Sequence, residues 1–505
     1  MKPMYKKIIN LLPALAVLTS CSDFLKEGSG DLLIPKNVTE YQAVLNREGY
    51  PGTFTNDVSF IDLMTDDVEV ISGRTSYSGY DNVNISVGKG AYLWERDVEQ
   101  YVFDAGKAYE NRYANILACN IVINDAATME GSQDDRNYCL AQAHALRAFS
   151  YFCLVNWYGM PYVKASASTD MGVAIQMGSQ VTREVIGRSS VQEVYDHINQ
   201  NIETALTLFD RTGSYTSRFQ MTRPATLLLK SRVALFTENW DTVIEAGELL
   251  RAQGIELKDI SALKPGDVDD SYSFIQLNNP EVLFSFGGYE NYHKYMTAFN
   301  DALAGPFFVP SQTDTDHLIR QYEAGDNRLY AFFKQDKPRE GGLLGDSVRY
   351  FKIPIKFAAY NRTSFQQAFR TAEVLLNLAE AYVQRGKAGD MEKAIDCLNE
   401  LRRHRFTKES YKALVANDFT KESLLRFARE ERRRELCFDE THRWNDLRRT
   451  GMPRIVHRFR ANENAPEETF VLEAKDSNYT LSLPHSEVVY NTKIKDHTRR
   501  IIGAQ

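Results

Sequence analysis

The feature that most constrains this chain is a helical repeat of apolar residues that recurs along most of its length. Ala145, Ala148, Phe149 and Phe152 fall at i, i+3, i+4 and i+7, and so do Leu375, Leu378, Ala379 and Tyr382. That spacing gathers one apolar stripe on one side of a helix, which must then be buried against another element. Similar patterns predict helices over Tyr109–Asn124, Val191–Leu208, Ala225–Thr237, Thr242–Leu250, Met391–Arg403 and Lys421–Arg449. Two sets read as hairpins: Ala225–Thr237 with Val243–Leu250, and Ala372–Gln384 with Met391–Leu401. Ala234 and Ala246, and likewise Ala381 and Ala394, place small residues where the two helices of each hairpin would touch. This is the layout of tetratricopeptide-like units, although the signature is degenerate and the spacing uneven, so plain helical hairpins are the other reading.

Between the helices lie stretches without period, at about 50–100, 160–190 and 255–365, rich in Gly, Ser, Asn, Asp and Tyr or mixing Gly and Pro with short aromatic runs. Irregular segments this long in a folded domain usually carry function. The expected fold class is therefore mostly α: a tetratricopeptide-like scaffold of helical hairpins with a large, irregular, loop-rich face. No linker-like stretch divides residues 21–505, which are read as a single domain.

Residues 1–20 read as a targeting signal. Lys2, Lys6 and Lys7 form a basic start, Ile8–Leu18 an apolar run too short for a permanent membrane span, and Leu18-Thr19-Ser20-Cys21 a lipobox. Cleavage there would leave Cys21 as an acylated N-terminus, each buried methylene adding about 0.8 kcal/mol to membrane attachment. Losing this leader removes three of the 60 basic residues and none of the 67 acidic ones, taking the net charge from −7 to about −10. A surface of that sign repels phosphate backbones and argues against nucleic acid as a partner. The remaining cysteines, Cys119, Cys139, Cys153, Cys397 and Cys437, are odd in number and lie in helical patterns, so they read as buried free thiols.

Catalytic signatures are missing. No nucleophile elbow, phosphate loop, dinucleotide fingerprint or HExxH helix occurs, and no two of the nine histidines share zinc-ligand spacing on one helical turn. No cofactor, metal site or catalytic residue is expected, and the chain is read as a binding protein rather than an enzyme. The block Glu431-Arg432-Arg433-Arg434-Glu435 through Arg449 invites a phosphate-binding reading, but its interspersed acids favour structural ion pairs, beginning with Glu430 and Arg434 at i, i+4. Arg147 is read in the same way, as a buried, paired structural arginine.

Several of these segments together resemble the SusD/RagB family of outer-membrane nutrient-binding lipoproteins. They are Cys21-Ser22-Asp23-Phe24-Leu25; Tyr113-Ala114-Asn115-Ile116 with Asn120; Leu146 to Phe152 followed by Asn156-Trp157-Tyr158-Gly159-Met160-Pro161; Asn279 to Phe284; Glu373 to Ala381; and Glu431 to Arg449. Cys437 and Thr441-His442 depart from the pattern. The resemblance implies a protein lipid-anchored to the outer membrane and facing the cell exterior. It would capture an oligomeric nutrient, a glycan foremost, and deliver it to a SusC-like TonB-dependent transporter. Capture of peptides by the same architecture is the alternative, and a lipoprotein hydrolase or a structural adhesin a remoter one. A glycan site needs aromatic faces beside hydrogen-bonding side chains. Two clusters supply them: Arg74, Tyr77, Tyr80, Asp81 and Asn82, with Asp66, Asp67, Tyr92 and Trp94 nearby, and Tyr289, Tyr292 and Tyr295 with Asn291 and His293. Trp94, just ahead of a helix, reads as core.

Overall fold

Polar side chains beside the apolar stripes set where the helices begin and end. In the computed structural model, which describes residues 35–71, 83–98, 107–180, 185–213, 215–268, 272–276, 278–288, 295–296, 306–336, 351–356, 367–461 and 464–505, short helices α1 (Val38–Val44), α2 (Phe54–Val58) and α3 (Val83–Tyr92) come first. The scaffold follows: α4 (Lys107–Asn124), α5 (Gln133–Tyr158), α6 (Val191–Phe209), α7 (Arg223–Phe236) and α8 (Trp240–Ala252). After α9 (Arg328–Ala331) come α10 (Thr371–Arg385), α11 (Asp390–Arg403), α12 (Lys421–Leu436), α13 (His442–Arg449) and the short α14 (His485–Tyr490). Ser132 caps α5, Ser190 and Glu193 form a capping box on α6, and Asn239 caps α8. Each such cap contributes about 1 kcal/mol by satisfying an orphan N–H. Gly386, in the left-handed region at φ 67°, ends α10, a conformation that costs glycine least.

Consecutive helices from α4 to α8 pack side by side, and α10 then lies against α7, α8, α11 and α12. The alanines expected at the hairpin contacts, Ala234, Ala246, Ala381 and Ala394, are all buried. The approach of α8 to α10 is closer still: a Cβ on Gly247 would stand 2.7 Å from the Leu378 side chain. The irregular stretches hold short antiparallel pairs. β1 (Val68–Ile71), β2 (Val282–Phe286), β3 (Phe307–Pro310), β4 (Phe333–Asp336), β5 (Phe351–Pro354), β6 (Gln367–Arg370), β7 (Ile455–Phe459) and β8 (Glu468–Leu472) combine as β1–β3, β2–β6, β4–β5 and β7–β8. One apolar core runs from Tyr41 to Ile502. Phe149, on the stripe of α5, meets Phe286 of β2 and Phe369 of β6 edge-on at 5.3 and 5.2 Å, which ties scaffold to strands. All five described cysteines are free and buried, and burial pushes each thiol up to about 12.

The helix expected over Lys421–Arg449 breaks in two. Between α12 and α13 the chain turns through Phe438 (φ 61°), Glu440 (φ 47°) and Thr441 (φ 66°), left-handed positions that are costly for side chains of this kind. Tertiary contacts hold the strain. Asp439 bonds Arg370 Nη2 at 2.6 Å and Lys356 Nζ at 2.7 Å, Glu440 bonds Arg232 at 2.8 Å, and Trp157 Nε1 donates to Thr441 Oγ1 at 3.2 Å.

The arginine block is structural. Glu435 faces three guanidinia, at 3.2 Å from Arg328, 2.8 Å from Arg370 and 2.9 Å from Arg405, all buried. Burial opposes its charge, but Arg405 and Arg370 outweigh it and hold the carboxyl well below the usual range. Glu281 closes the ring on Arg370 (2.8 Å) and Arg405 (2.6 Å). Arg434 pairs with Glu431 at 2.6 Å rather than with the expected Glu430, because position 431 is the one turned inward toward Arg328 and Arg402. Arg448 differs from its neighbours, donating to the carbonyls of Asn156 and Gly159. Arg147 is buried as expected, yet its partners are amides: Asn120 Oδ1 at 2.7 Å and Asn201 Oδ1 at 2.7 and 2.9 Å.

The segment after β8 returns across the molecule. Leu481 N donates to Trp157 O, Asn478 Nδ2 to Trp94 O, and Arg499 Nη1 to the carbonyls of Glu95 and Arg96, all at 2.9–3.0 Å. Asn491 Nδ2 reaches Ile186 O at 3.0 Å.

Candidate ligand-binding face

The β1–β3 pair anchors both ring-bearing segments. Val68 stands opposite Pro310 and Ile71 opposite Phe307, so the chain entering the Arg74–Asn82 cluster is hydrogen-bonded to the chain leaving the Tyr289–Tyr295 region. At the near end of that second region Gly287 O accepts from Thr55 N at 3.0 Å. A Cβ on Gly288 (φ 83°) would stand 2.6 Å from Gly52 O, so a side chain would prise the two strands of backbone apart. At the far end of the first region, α3 presses on β3, where a Cβ at Gly88 would meet the Phe308 ring at 2.6 Å.

Below this platform His457 of β7 is stacked between two rings, 4.0 Å from Tyr92 and 4.1 Å from Trp94. Its Nδ1 lies 2.6 Å from Tyr92 O and its Nε2 3.0 Å from Thr65 O, and burial drives its pKa down to about 4. Trp94 Nε1 donates to Met64 O at 2.8 Å, which makes this tryptophan core, as its position in the sequence suggests. Tyr92 is core as well, its hydroxyl donating to Arg458 O.

The polar residues beside the first cluster serve the frame. Asp66 takes Arg443 through two hydrogen bonds of 2.6 and 2.7 Å, and Asp67 takes Arg433 at 2.6 Å. Burial opposes the Asp66 charge, but Arg433 and Arg443 together hold its carboxyl well below the usual range. Both aspartates therefore dock β1 onto α12 and α13 and are not the hydroxyl-binding groups the composition suggested. Arg74, Tyr77, Tyr80, Asp81, Asn82, Tyr289 and Tyr292 lie outside the described residues, as does Cys21. Tyr295 is described, and at 6% exposure it is packed in the core. Among the described residues one acidic group, Asp314 with Asp316 and His317, brings its ligand atoms within 4.8 Å of one another, and Arg458 already pairs with Asp314 at 2.8 Å.

A second concavity was not foreseen from the sequence. It measures about 380 Å³ and lies between α4, residues 174–180 and α14. Tyr109, Tyr113 and Leu117 line it from α4, with Tyr109 and Tyr113 rings tilted 51° at 4.7 Å. Gln176 and Gln180, with Glu487 and Asn491 from the far end of the chain, complete the lining. The wall is firmly held. Tyr113 Oη donates to Ala174 O at 2.8 Å, Tyr151 Oη bonds both the N–H and the carbonyl of Gln176, and Asn120 Nδ2 donates to the carbonyls of Gln176 and Gly178 at 2.9 and 3.0 Å. Arg147, bonded to Asn120 Oδ1, orients that amide. Five lining residues, Tyr109, Glu110, Tyr113, Leu117 and Asn120, come from α4, and the rest come from segments more than fifty positions away.

Two family models match the sequence: the SusD family over residues 310–500, and one described as starch-binding associating with outer membrane over 62–235. No curated protein matches it. Among solved structures, a SusD superfamily protein from Bacteroides fragilis is 23% identical with a TM-score of 0.64, covering 91% of this chain and 99% of its own. A SusD-like carbohydrate binding protein from Bacteroides vulgatus is 20% identical (TM-score 0.65, 92% and 98% coverage). Surface glycan-binding protein A from Bacteroides fluxus is 16% identical (TM-score 0.59, 92% and 98%). The helical scaffold, the arginine-rich pair α12–α13 and these matches at both ends of the chain agree, and the chain belongs to the SusD/RagB family.

Proposed function

We propose that this protein is a lipid-anchored, surface-facing binder of an oligomeric glycan, which it passes without cleavage to a SusC-like TonB-dependent transporter in the outer membrane. The carrying observation is the β1–β3 pairing. It pairs Ile71, ahead of the segment bearing Tyr77 and Tyr80, with Phe307, beyond the segment bearing Tyr289 and Tyr292, which supports a reading in which the two segments serve one site. Aromatic faces stack on the C–H side of sugars while Arg74, Asp81 and Asn82 serve the hydroxyls, a few polar groups fixing orientation within a largely apolar contact. Support also comes from relatives whose names mention starch, carbohydrate and surface glycans. Among the described residues no helix is long and apolar enough to cross a membrane, so attachment would fall to Cys21.

The test is to replace Tyr77, Tyr80, Tyr289 and Tyr292 together by alanine, check folding by circular dichroism, and titrate glycan and peptide pools by calorimetry. Glycan affinity should fall at least tenfold. Unchanged glycan affinity, or heat from peptides alone, overturns the proposal. In cells, Cys21→Ser should move the protein out of the membrane fraction.

A further inference from the structure

We infer that the groove between α4, residues 174–180 and α14 is a second sugar-binding site, selective for neutral or amine-bearing units over acidic ones; it rests on the glycan reading above. Three observations carry it. The first is the contrast between backbone and side chain in its wall. Tyr113, Asn120 and Tyr151 pin the backbone of residues 174–178 by hydrogen bonds of 2.8–3.0 Å, whereas the side-chain amides of Gln176 and Gln180 bond nothing among the described residues. The Gln176 amide, open on a backbone fixed at Ala174, Gln176 and Gly178, is what a hydroxylated ligand requires, since little ordering of that residue remains when it arrives.

The second is the floor. Tyr113, half-buried and held against the core residue Tyr109 at 4.7 Å, which in turn packs edge-on against Tyr158 at 5.2 Å, lines a cavity of about 380 Å³, inside the roughly 300–1,000 Å³ of small-molecule sites. Tyr490, which in sequence lies between the lining residues Glu487 and Asn491, is 80% exposed. The third is charge. Among the described residues Glu110 and Glu487 line the groove, and no Lys, Arg or His does. Carboxylates in such a wall repel uronate, sulfate or phosphate groups and tolerate hydroxyls and ammonium groups. None of the residues that anchor the tyrosine segments at β1–β3 contributes to this lining.

Two variants test it. Gln176→Ala/Gln180→Ala removes the open amides. Gly178→Trp fills the groove, and its backbone allows this because a Cβ there meets only Gln180 O, at 3.9 Å. Both are titrated calorimetrically against maltoheptaose, cellohexaose, mannohexaose and an oligogalacturonide of matching length. Wild type should bind at least one neutral oligomer, with affinity reduced at least fivefold in the glutamine variant and tenfold in Gly178→Trp, while no oligogalacturonide binding depends on either change. Neutral-oligomer affinities within twofold of wild type in both variants overturn the groove and leave the glycan reading standing. Absence of any binding by wild type overturns both.

Discussion

At the centre of the molecule Glu435 meets three guanidinia; at the edge of the α4 groove the side-chain amides of Gln176 and Gln180 meet no partner among the described residues. Both places are built from polar side chains on a rigid frame, and the difference lies in who satisfies them. Around Glu435 the protein supplies every partner, and each charge answers another inside the same core. In the groove the protein spends its hydrogen bonds on the backbone of the wall and leaves the side chains open. Saturated polar clusters are architecture; open polar groups on an immobile wall are reception sites.

The largest expected effect tests the first half of this contrast. Glu435→Ala takes one carboxylate from three buried guanidinia, leaving Arg328 to Asp326 and Glu431, Arg370 to Glu281 and Asp439, and Arg405 to Glu281 alone, and should cost about 3–5 kcal/mol, read from urea unfolding. A loss below about 1 kcal/mol would show that the centre is not saturated in the sense argued. Next comes Glu440, whose pKa burial lifts to about 7 against the pull of Arg232. The folded state holds that proton more tightly than the unfolded one, so this group's stabilisation is complete below the unfolded value near 4.5 and is lost as pH rises through 7. The histidines His144, His197 and His457, depressed to about 4, act in the opposite sense. Only the difference between variants therefore isolates Glu440. Relative to wild type, Glu440→Gln should gain on the order of 2–3 kcal/mol between pH 5 and pH 8; a constant difference across that window contradicts the assignment.

Asn120→Ala is smaller, about 1–3 kcal/mol, because it unpairs part of Arg147 and frees two carbonyls. Hydrogen exchange should quicken selectively in residues 174–180, and uniform exchange would remove Asn120 as the link between core and groove. Smallest of all is Gln176→Ala/Gln180→Ala, whose thermal stability should stay within about 0.5 kcal/mol of wild type. A marked loss would mean that these amides belong to the frame after all.

What the sequence disclosed and what it withheld follow the same division. Helix α6 was expected at Val191–Leu208 and spans Val191–Phe209; α11 was expected at Met391–Arg403 and spans Asp390–Arg403. Period and caps are local signals, and they travel well. The break at Phe438–Thr441 gave no local sign, having neither glycine nor proline, since contacts from Arg232, Lys356 and Arg370 impose it. For the same reason Asp66 and Asp67 were misread beside the tyrosines, their partners Arg443 and Arg433 lying more than 360 residues away. The groove draws on α4, the segment before α6 and α14, and no window of sequence contains all three.

The return of residues 478–500 across Trp94–Arg96, Trp157 and Ile186 gives the molecule a timetable. Bonds that fasten Trp94, Glu95 and Ile186 come from residues 384, 404 and 305 positions further along the chain, so loops of that length must close before these contacts form, a step that local helix formation does not wait for.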